Sequence, residues 1–277
     1  MTARKMTIAL GQIQSIQGNV ETNLEMIRNT CDAAVKKNAD LVVFPELGVT
    51  GYLIYDDVVR LACPIPESVV IRDLEKIAAE YGIFIVTGLP EEAIQGIYYN
   101  VAVVIGPSGY IDKYRKILLP QHSVFDEKRY FRPGTSIHSV DTPLGKLGLC
   151  ICYDLFSPEI ARYHALNGCS LLVCISASPG IRQKYFETFT QSRAMENSIF
   201  VAYVNQAGIQ DNLIFWGGSE VISPSGKRIL KLAYDEPAFG VATLDLQRVK
   251  TNRAFVPTIR DNPEWIYKDL ESVNRGL

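Results

Sequence analysis

The stretch Leu147-Gly-Leu-Cys-Ile-Cys-Tyr-Asp-Leu-Phe-Ser-Pro-Glu159 decides the fold, because it runs from an apolar strand pattern straight into a helix start. Positions 157–159 combine a capping serine, a proline suited to a first helical turn and an acid that faces the positive helix end. We therefore predict a strand over residues 147–153 and a helix that begins after Ser157 and ends before Gly168. Side chains where that strand ends would be exposed on a rigid scaffold.

The rest of the chain shows the same alternation of strands and helices, interrupted by hairpins. Single strands are predicted at Met6–Ile13, Leu41–Phe44, Ile83–Thr87, Leu171–Ser176 and Ile199–Asn205, and helices over residues 22–38, 66–81 and 183–197. Hairpins are predicted for Tyr98–Ile105 with Tyr110–Lys116, for Ile137–Val140 with Leu147–Tyr153, and for Ser219–Ser223 with Arg228–Leu232. Hairpins require antiparallel pairing, which favours a layered α/β fold with mixed sheets over a purely parallel one. Because no repeat or linker interrupts the pattern, we predict a single domain over residues 1–277.

The composition excludes several classes of protein. A content of 47% hydrophobic and 21% charged residues is typical of a globular chain rather than a disordered one. The net charge is −2 and basic residues do not cluster, so no nucleic-acid partner is expected. No apolar run approaches the roughly 18 residues that a membrane helix needs, so we expect no membrane association. The amino terminus lacks signal-peptide features, which favours a cytoplasmic location.

The spacing of cysteines and histidines does not favour a metal centre. The six cysteines include no C-x-x-C pair, and the three histidines are scattered. The cysteines are instead typical of buried thiols in a reducing compartment, one of which could be reactive. No glycine-rich phosphate loop is present either, so neither a metal nor an organic cofactor is predicted.

Three predicted strands end in a side chain that could take part in catalysis. Glu46 follows Phe44-Pro45, Lys116 ends a hairpin strand, and Cys152 lies just ahead of the predicted helix start. Each is ordinarily structural when taken alone, as a cap, a solvated cation or a packing thiol. Together they supply the nucleophile, the base and the positive charge that acyl transfer needs. No G-x-S-x-G motif offers a serine alternative.

An ordered set of motifs resembles the nitrilase, or carbon–nitrogen hydrolase, superfamily. The motifs are Phe44-Pro-Glu46-x-x-x-Thr-Gly-Tyr52, Tyr114-Arg-Lys116, Phe125-Asp-Glu127-x-x-Tyr-Phe-x-Pro-Gly134, Ile151-Cys152-Tyr153-Asp154, Arg193-Ala-x-Glu196-Asn197, Phe200-Val-Ala-x-x-Asn205 and Gly217-Gly-Ser219-x-x-x-x-Pro224-x-Gly226. The resemblance implies a four-layer α-β-β-α sandwich with two mixed sheets, paired into an eight-layer dimer.

The same resemblance assigns catalytic roles. It implies a triad of Glu46, Lys116 and Cys152, with Glu127 as a further glutamate. Spacing alone does not separate Cys150 from Cys152, since residues two apart share a face of a regular strand. The family motif selects Cys152, and Cys150 is interpreted as packing.

The motif variants favour one branch of the superfamily. Cys152-Tyr-Asp resembles the amidase and carbamoylase branches, and Val204-Asn-Gln-x-Gly208 resembles the glutaminase domain of glutamine-dependent NAD synthetase. In that family, residues matching Ser178 and Lys184 hold the amino-acid end of glutamine. His122 replaces the family's tyrosine, and the chain as given ends without a synthetase domain. We therefore expect a stand-alone amidase that releases ammonia from a small amide or carbamoyl compound through a thioester on Cys152.

Several further expectations complete this interpretation. Substrate binding is predicted for the residues His122, Tyr153, Ser178, Lys184 and Tyr52. Residues 246–277 resemble an extended tail laid across a neighbouring subunit, and a homodimer or higher even-numbered homo-oligomer is expected. The alternatives are a glutaminase that supplies ammonia to a partner, a nitrilase, an acyltransferase, and a binding protein that has kept its triad without using it.

Overall fold

The computed structural model describes residues 5–275, so the first four and last two residues of the predicted 1–277 domain lie outside the described residues. The strands are β1 (Lys5–Gln12), β2 (Leu41–Val43), β3 (Phe84–Ile94), β4 (Ile97–Gly106), β5 (Gly109–Arg115), β6 (Val140–Thr142), β7 (Gly145–Ile151), β8 (Leu171–Ser176), β9 (Phe200–Asn205), β10 (Ala207–Gln210), β11 (Leu213–Trp216), β12 (Glu220–Ile222), β13 (Arg228–Lys231) and β14 (Ala238–Asp245). The helices are α1 (Val20–Val35), α2 (Val58–Leu61), α3 (Val69–Tyr81), α4 (Glu127–Tyr130), α5 (Pro158–Leu166), α6 (Gln183–Asn197), α7 (Gln247–Phe255) and α8 (Trp265–Asn274).

Two six-stranded sheets form the centre of the molecule. The first has the order β14-β1-β2-β3-β4-β5, and the second has the order β13-β12-β9-β8-β7-β6. In each sheet three strands run parallel, namely β1, β2 and β3 in one and β7, β8 and β9 in the other, while the remaining pairs are antiparallel. Both sheets are therefore mixed, as the hairpins predicted.

The layers follow from where apolar side chains are buried. One cluster joins the two sheets face to face and includes Leu10 and Val43 of the first sheet and Leu149 and Val173 of the second. A second cluster packs α1 and α3 against the outer face of the first sheet, and α5 and α6 contact the outer face of the second. The predicted four-layer α-β-β-α sandwich is confirmed.

The strand–turn–helix at residues 147–159 differs from its prediction in two details. Strand β7 ends at Ile151, and a short 3-10 helix from Cys152 to Phe156 replaces the predicted last residues of the strand. Cys152 has φ of +48°, so the regular strand that would place it on the same face as Cys150 has already ended. Helix α5 begins after Ser157 as predicted, but the serine hydroxyl donates to Glu159 Oε2 at 2.5 Å and does not cap a helix amide.

Elements with weak apolar periodicity were not predicted. The β10–β11 hairpin and strand β14 are short or half-buried. Helix α7 buries only Val249 and shows no apolar stripe that would identify it from sequence. Helix α8 buries none of its residues, although Ile266, Leu270 and Val273 recur at helical spacing, a signal that was missed. Both helices lie within the stretch 246–277 that was expected to be an extended tail. Across residues 5–275, no helix is long and apolar enough to cross a membrane.

Candidate active site

A single lysine joins the acidic residues of the predicted site. Lys116 Nζ donates to Glu46 Oε1 at 2.7 Å and to Glu127 Oε1 at 2.6 Å. Lys116 and Glu46 are fully buried and Glu127 is 4% exposed. The Cys152 thiol is buried beside them, since the charges of all three shift its pKa. The structure therefore brings together the four residues that were predicted to be catalytic.

Glu46 is held by three donors at the end of β2. Besides Lys116, Asn100 Nδ2 donates to its Oε1 at 2.7 Å and the Ala177 N–H donates to its Oε2 at 2.9 Å. The loop that carries Glu46 lies directly against β3, where a Cβ on Gly88 would come within 2.3 Å of Leu47 N. A glycine is required there because any larger residue would displace the carboxylate.

Lys116 directly follows β5 and is fixed through its backbone on both sides. Its N–H donates to Asn100 O at 2.9 Å, and its carbonyl accepts from Gly134 N at 2.7 Å. Burial alone would lower the pKa of Lys116, but the adjacent Glu127 and Glu46 carboxylates outweigh it and raise the pKa well above its usual value. The side chain is therefore a permanent cation. Two of its three N–H groups are engaged by carboxylates, which leaves one for another acceptor.

Glu127 opens the short helix α4 and has one engaged and one unengaged oxygen. Its Oε1 accepts from Lys116 and from the Tyr52 hydroxyl, the latter at 2.5 Å. Its Oε2 is buried without a hydrogen-bond partner among the described residues. Burial raises the pKa of Glu127 to about 7, helped by the Glu46 charge and opposed by Lys116.

Cys152 occupies a turn that Arg193 supports from behind. Burial raises the pKa of its thiol well above the usual value, and the Glu46 charge adds to that rise while Lys116 opposes it. The thiol is thus neutral at pH 7 and needs a base before it can attack. Behind the turn, Arg193 donates to the carbonyls of Leu155 at 3.0 Å and Phe156 at 3.2 Å.

The residues predicted to bind substrate occupy three different environments. Tyr52 belongs to the cluster, because it donates to Glu127. His122 is exposed and packs against Tyr153, with ring centroids 5.3 Å apart. Ser178 is buried one residue beyond the amide that holds Glu46, and its N–H donates to Asn205 Oδ1 at 2.7 Å. Lys184 is exposed on the second residue of α6.

A small cleft reaches the cluster from the surface. Its volume is about 50 Å³, and its lining includes Tyr52, Leu53, Phe125, Glu127 and Phe131. The cleft is therefore a mostly apolar opening beside Tyr52 and Glu127.

Sequence reasoning missed several residues that hold the site in place. Asn100 is a fully buried amide inside the otherwise apolar strand β4. A polar residue within an apolar strand was the sequence signal from which Asn100 could have been predicted as a site residue. Tyr203 donates to Ser176 Oγ at 3.1 Å, and a hydrogen bond from Ser176 opposes in small part the rise that burial causes in the pKa of the Cys152 thiol. The Ala177 N–H had no sequence signal, because backbone donors carry none. Among residues 5–275, no group of three or more histidine, cysteine or acidic side chains could hold a metal ion.

Comparison with known proteins identifies the family. The sequence model described as Carbon-nitrogen hydrolase matches residues 7–254. The chain belongs to the carbon-nitrogen hydrolase family. The hydrolase is 35% identical to a glutamine-dependent NAD(+) synthetase of Aquifex aeolicus over 90% of the chain, and it spans only 44% of that relative. It is 32% identical to an omega-amidase of Homo sapiens, with 96% of the chain and 98% of that protein covered.

Solved structures agree with this assignment. A carbon-nitrogen hydrolase from Helicobacter pylori G27 matches the hydrolase with a TM-score of 0.89 at 27% identity, covering 96% of the chain and 98% of that structure. A glutamate-to-glutamine variant of an amidase from Nesterenkonia sp. AN1 matches with a TM-score of 0.84 at 25% identity, covering 96% and 97%. The chain therefore belongs to a superfamily whose members include amidases and nitrilases.

Proposed function

We propose that the chain hydrolyses the carbon–nitrogen bond of a small linear amide or carbamoyl compound through a thioester on Cys152, with release of ammonia. The observation that carries this proposal is the buried lysine between two glutamates beside a neutral thiol. Acyl transfer needs a base for that thiol and a cation for the developing oxyanion, and this arrangement supplies both. No cofactor enters the proposed chemistry.

The first half of the reaction forms the thioester. Glu46 accepts the thiol proton while the Cys152 sulfur bonds to the carbonyl carbon, whose oxygen takes the negative charge. The third N–H of Lys116 and the Tyr153 backbone N–H hold that oxyanion. Glu46 then returns the proton to the substrate nitrogen, the carbon–nitrogen bond breaks, and ammonia leaves.

The second half releases the acid. Glu46 accepts a proton from water, and the resulting hydroxide attacks the thioester carbon. When the tetrahedral adduct collapses, the carbon–sulfur bond breaks and the thiolate recovers the proton from Glu46. In the first half Glu127 Oε2 would accept a hydrogen bond from the substrate amide, since that oxygen has no partner among residues 5–275. Substrate contacts are proposed for Tyr52, His122, Tyr153, Ser178 and Lys184.

One observation favours an amide over a nitrile, namely the Cys152-Tyr-Asp motif, which resembles the amidase branch. The relatives do not separate the two, since they include a nitrilase as well as an omega-amidase. In the Nesterenkonia amidase variant, the acetamide moiety of fluoroacetamide is added covalently at the active-site cysteine, which supports a nucleophilic role for Cys152.

A glutaminase is the second candidate. It is favoured by the similarity to the Aquifex synthetase and by Ser178 and Lys184, which match that family's glutamine-binding positions. The proposed enzyme is further expected to form an even-numbered homo-oligomer, which light scattering would measure. A cytoplasmic setting is proposed because all six cysteines, each of them within residues 5–275, are free.

Ammonia release from glutamine, aliphatic amides, carbamoyl amines and nitriles tests the proposal. We expect release from one amide class in the wild type and none above background in Cys152→Ala. Cys150→Ala is the matched control, because it removes a buried thiol two residues away that packs in the core. Preference for glutamine would support the second candidate. Release that survives in Cys152→Ala, or release from nitriles alone, would contradict the proposed reaction.

A further inference from the structure

Asp154 is a buried acid that none of the proposed chemical steps uses. The side chain is fully buried and accepts four hydrogen bonds. The donors to Oδ1 are Leu118 N at 2.7 Å and Ile117 N at 3.2 Å, and those to Oδ2 are Tyr114 OH at 3.0 Å and Ile151 N at 3.1 Å. Every oxygen of this carboxylate is therefore engaged, and all the donors are uncharged.

The positions of these donors connect two parts of the site. Tyr114 lies two residues before Lys116, and the Ile117 and Leu118 amides follow it directly. Ile151 directly precedes Cys152. Strand β5, which leads to the lysine, belongs to the first sheet, whereas β7, which leads to the cysteine, belongs to the second. One carboxylate thus joins the lysine-bearing segment of one sheet to the cysteine-bearing turn of the other.

Both connected segments need such support. Cys152 has φ of +48°, a conformation that residues with a Cβ avoid unless their surroundings impose it. The Asp154 bond to the amide just before Cys152 holds the entry to this turn. Lys116 is the first residue beyond the edge strand β5, and the two residues that follow it, Ile117 and Leu118, are held by their bonds to Asp154. Burial raises the pKa of Asp154 to about 6, opposed by the Leu118 N–H and by the nearby Lys116 charge.

We propose that Asp154 is a positioning residue that fixes the Lys116 ammonium relative to the Cys152 sulfur, with Tyr114 as its side-chain partner. This inference rests on the proposed function. A displacement of about 1 Å in such an arrangement can reduce a rate about 100-fold without weakening substrate binding. The loss of Asp154 therefore acts on the chemical step and leaves the binding contacts in place.

Asp154→Asn is the sharpest variant, because the amide keeps the shape and replaces one acceptor oxygen with a donor. The new NH2 group then faces either the Ile117 and Leu118 amides or the Ile151 amide, and none of these N–H groups can accept a hydrogen bond from it. We expect kcat per titrated active-site thiol to fall roughly 100-fold while KM stays within about three-fold. Tyr114→Phe removes a single donor and should lower kcat about five-fold, again with KM unchanged.

Thr190→Val is the matched control for stability. Thr190 is a fully buried residue of α6 whose hydroxyl donates to Phe186 O at 2.7 Å. A role of Asp154 in stability alone predicts that all variants keep the wild-type kcat per titrated thiol, and that result would overturn the proposal. If Asp154→Asn does not fold, Tyr114→Phe decides by the same criterion.

Alkylation of Cys152 by iodoacetamide at pH 7.5, followed by site-resolved mass spectrometry, separates this inference from the proposed function. A displaced Lys116 no longer stabilises the thiolate, so the second-order rate constant should fall about ten-fold in Asp154→Asn and stay unchanged in Thr190→Val. If the wild type hydrolyses no amide, the proposed function fails but this rate still tests the positioning. An unchanged alkylation rate in both Asp154→Asn and Tyr114→Phe would refute it.

Discussion

The same set of four side chains, one lysine, two glutamates and one tyrosine, occurs in two places in this molecule. In the first cluster, Lys116 binds Glu46 and Glu127, and the Tyr52 hydroxyl donates to Glu127. In the second cluster, Lys231 Nζ lies 2.8 Å from Glu187 and 3.4 Å from Glu220, and the Tyr234 hydroxyl donates to Glu187 at 2.6 Å. Residue types alone therefore do not distinguish the two.

Burial and neighbours distinguish them. The lysine of the first cluster is fully buried beside the Cys152 thiol, whereas Lys231 is 18% exposed and lies 5.2 Å from the ring centre of Trp216. Burial raises the pKa of Glu127 to about 7. Burial acts in the same direction on Glu187, but the hydrogen bonds from Lys231 and Tyr234 outweigh it and lower the pKa of Glu187. Glu220 of the second cluster is itself fully buried, and burial raises its pKa, so the clusters differ in the burial of the lysine, the other glutamate and the tyrosine. The contrast teaches that removal of the whole cluster from water, rather than composition, prepares it for proton transfer.

The largest expected difference in kcat is between variants of the two lysines. Lys116→Met should reduce kcat at least about 1,000-fold, because the oxyanion loses its only proposed cation in a fully buried site. Lys231→Met makes the same change in the second cluster and should leave kcat within about three-fold. Ammonia release measures both.

Stability must be followed alongside, since removing one partner of a buried ion pair costs roughly 3–5 kcal/mol. If Lys116→Met does not fold, Lys116→Arg is the substitute. It keeps the positive charge but moves the N–H groups that donate to the carboxylates, and it should still lose most of the activity. Comparable losses of kcat in the Lys116 and Lys231 variants would show that burial does not distinguish the functions of the two clusters.

The next difference is in pH dependence. In the proposed mechanism Glu127 acts ionised, so kcat/KM should rise with pH through about 7, and that rise should be absent from the residual activity of Glu127→Gln. Stability has the opposite sign: a carboxyl whose pKa is higher in the folded state binds its proton more tightly there. Glu127 therefore contributes its full stabilisation at pH values below its unfolded pKa. Between about pH 4.5 and 7 this contribution to the free energy of unfolding falls by on the order of 3 kcal/mol.

Urea unfolding at several pH values, compared between wild type and Glu127→Gln, measures this contribution. Glu187→Gln is the control, because the pKa of Glu187 is shifted downward and its variant should leave the window near pH 7 unchanged. An activity profile that falls through pH 7 would assign the protonated form of Glu127 to catalysis.

The smallest expected difference is in the two tyrosines. Tyr52→Phe leaves Glu127 Oε1 with only the lysine, and it should lower kcat/KM about ten-fold and stability by about 1–2 kcal/mol. Tyr234 is 44% exposed, so water can replace its hydroxyl, and Tyr234→Phe should change neither quantity measurably. Kinetics and urea unfolding of the pair measure this, and equal effects would show that burial does not separate the clusters.

The local patterns in the sequence predicted much of the fold. Helix α6 has the predicted bounds, and α3 ends before Gly82 as predicted, but it begins at Val69 after a Ser68 cap and not at Pro66. Helix α7, which buries only Val249, offered no apolar stripe from which it could be predicted. Ser157 was correctly predicted to precede α5, but its predicted capping bond to a helix amide was wrong, because its hydroxyl donates to the nearby Glu159 carboxylate.

The sequence by itself determined the order of the strands and helices that build the two sheets and their outer layers, the family motifs, and the four side chains predicted to be catalytic. These depend on residues close together along the chain, where periodicity and capping act. Only the tertiary structure decided that Lys116 meets Glu46 from 70 positions away, and that Asn100 and the Ala177 amide orient that glutamate. It also decided which of the two acid–lysine clusters is removed from water, because burial is set by the packing of the two sheets and not by any local pattern.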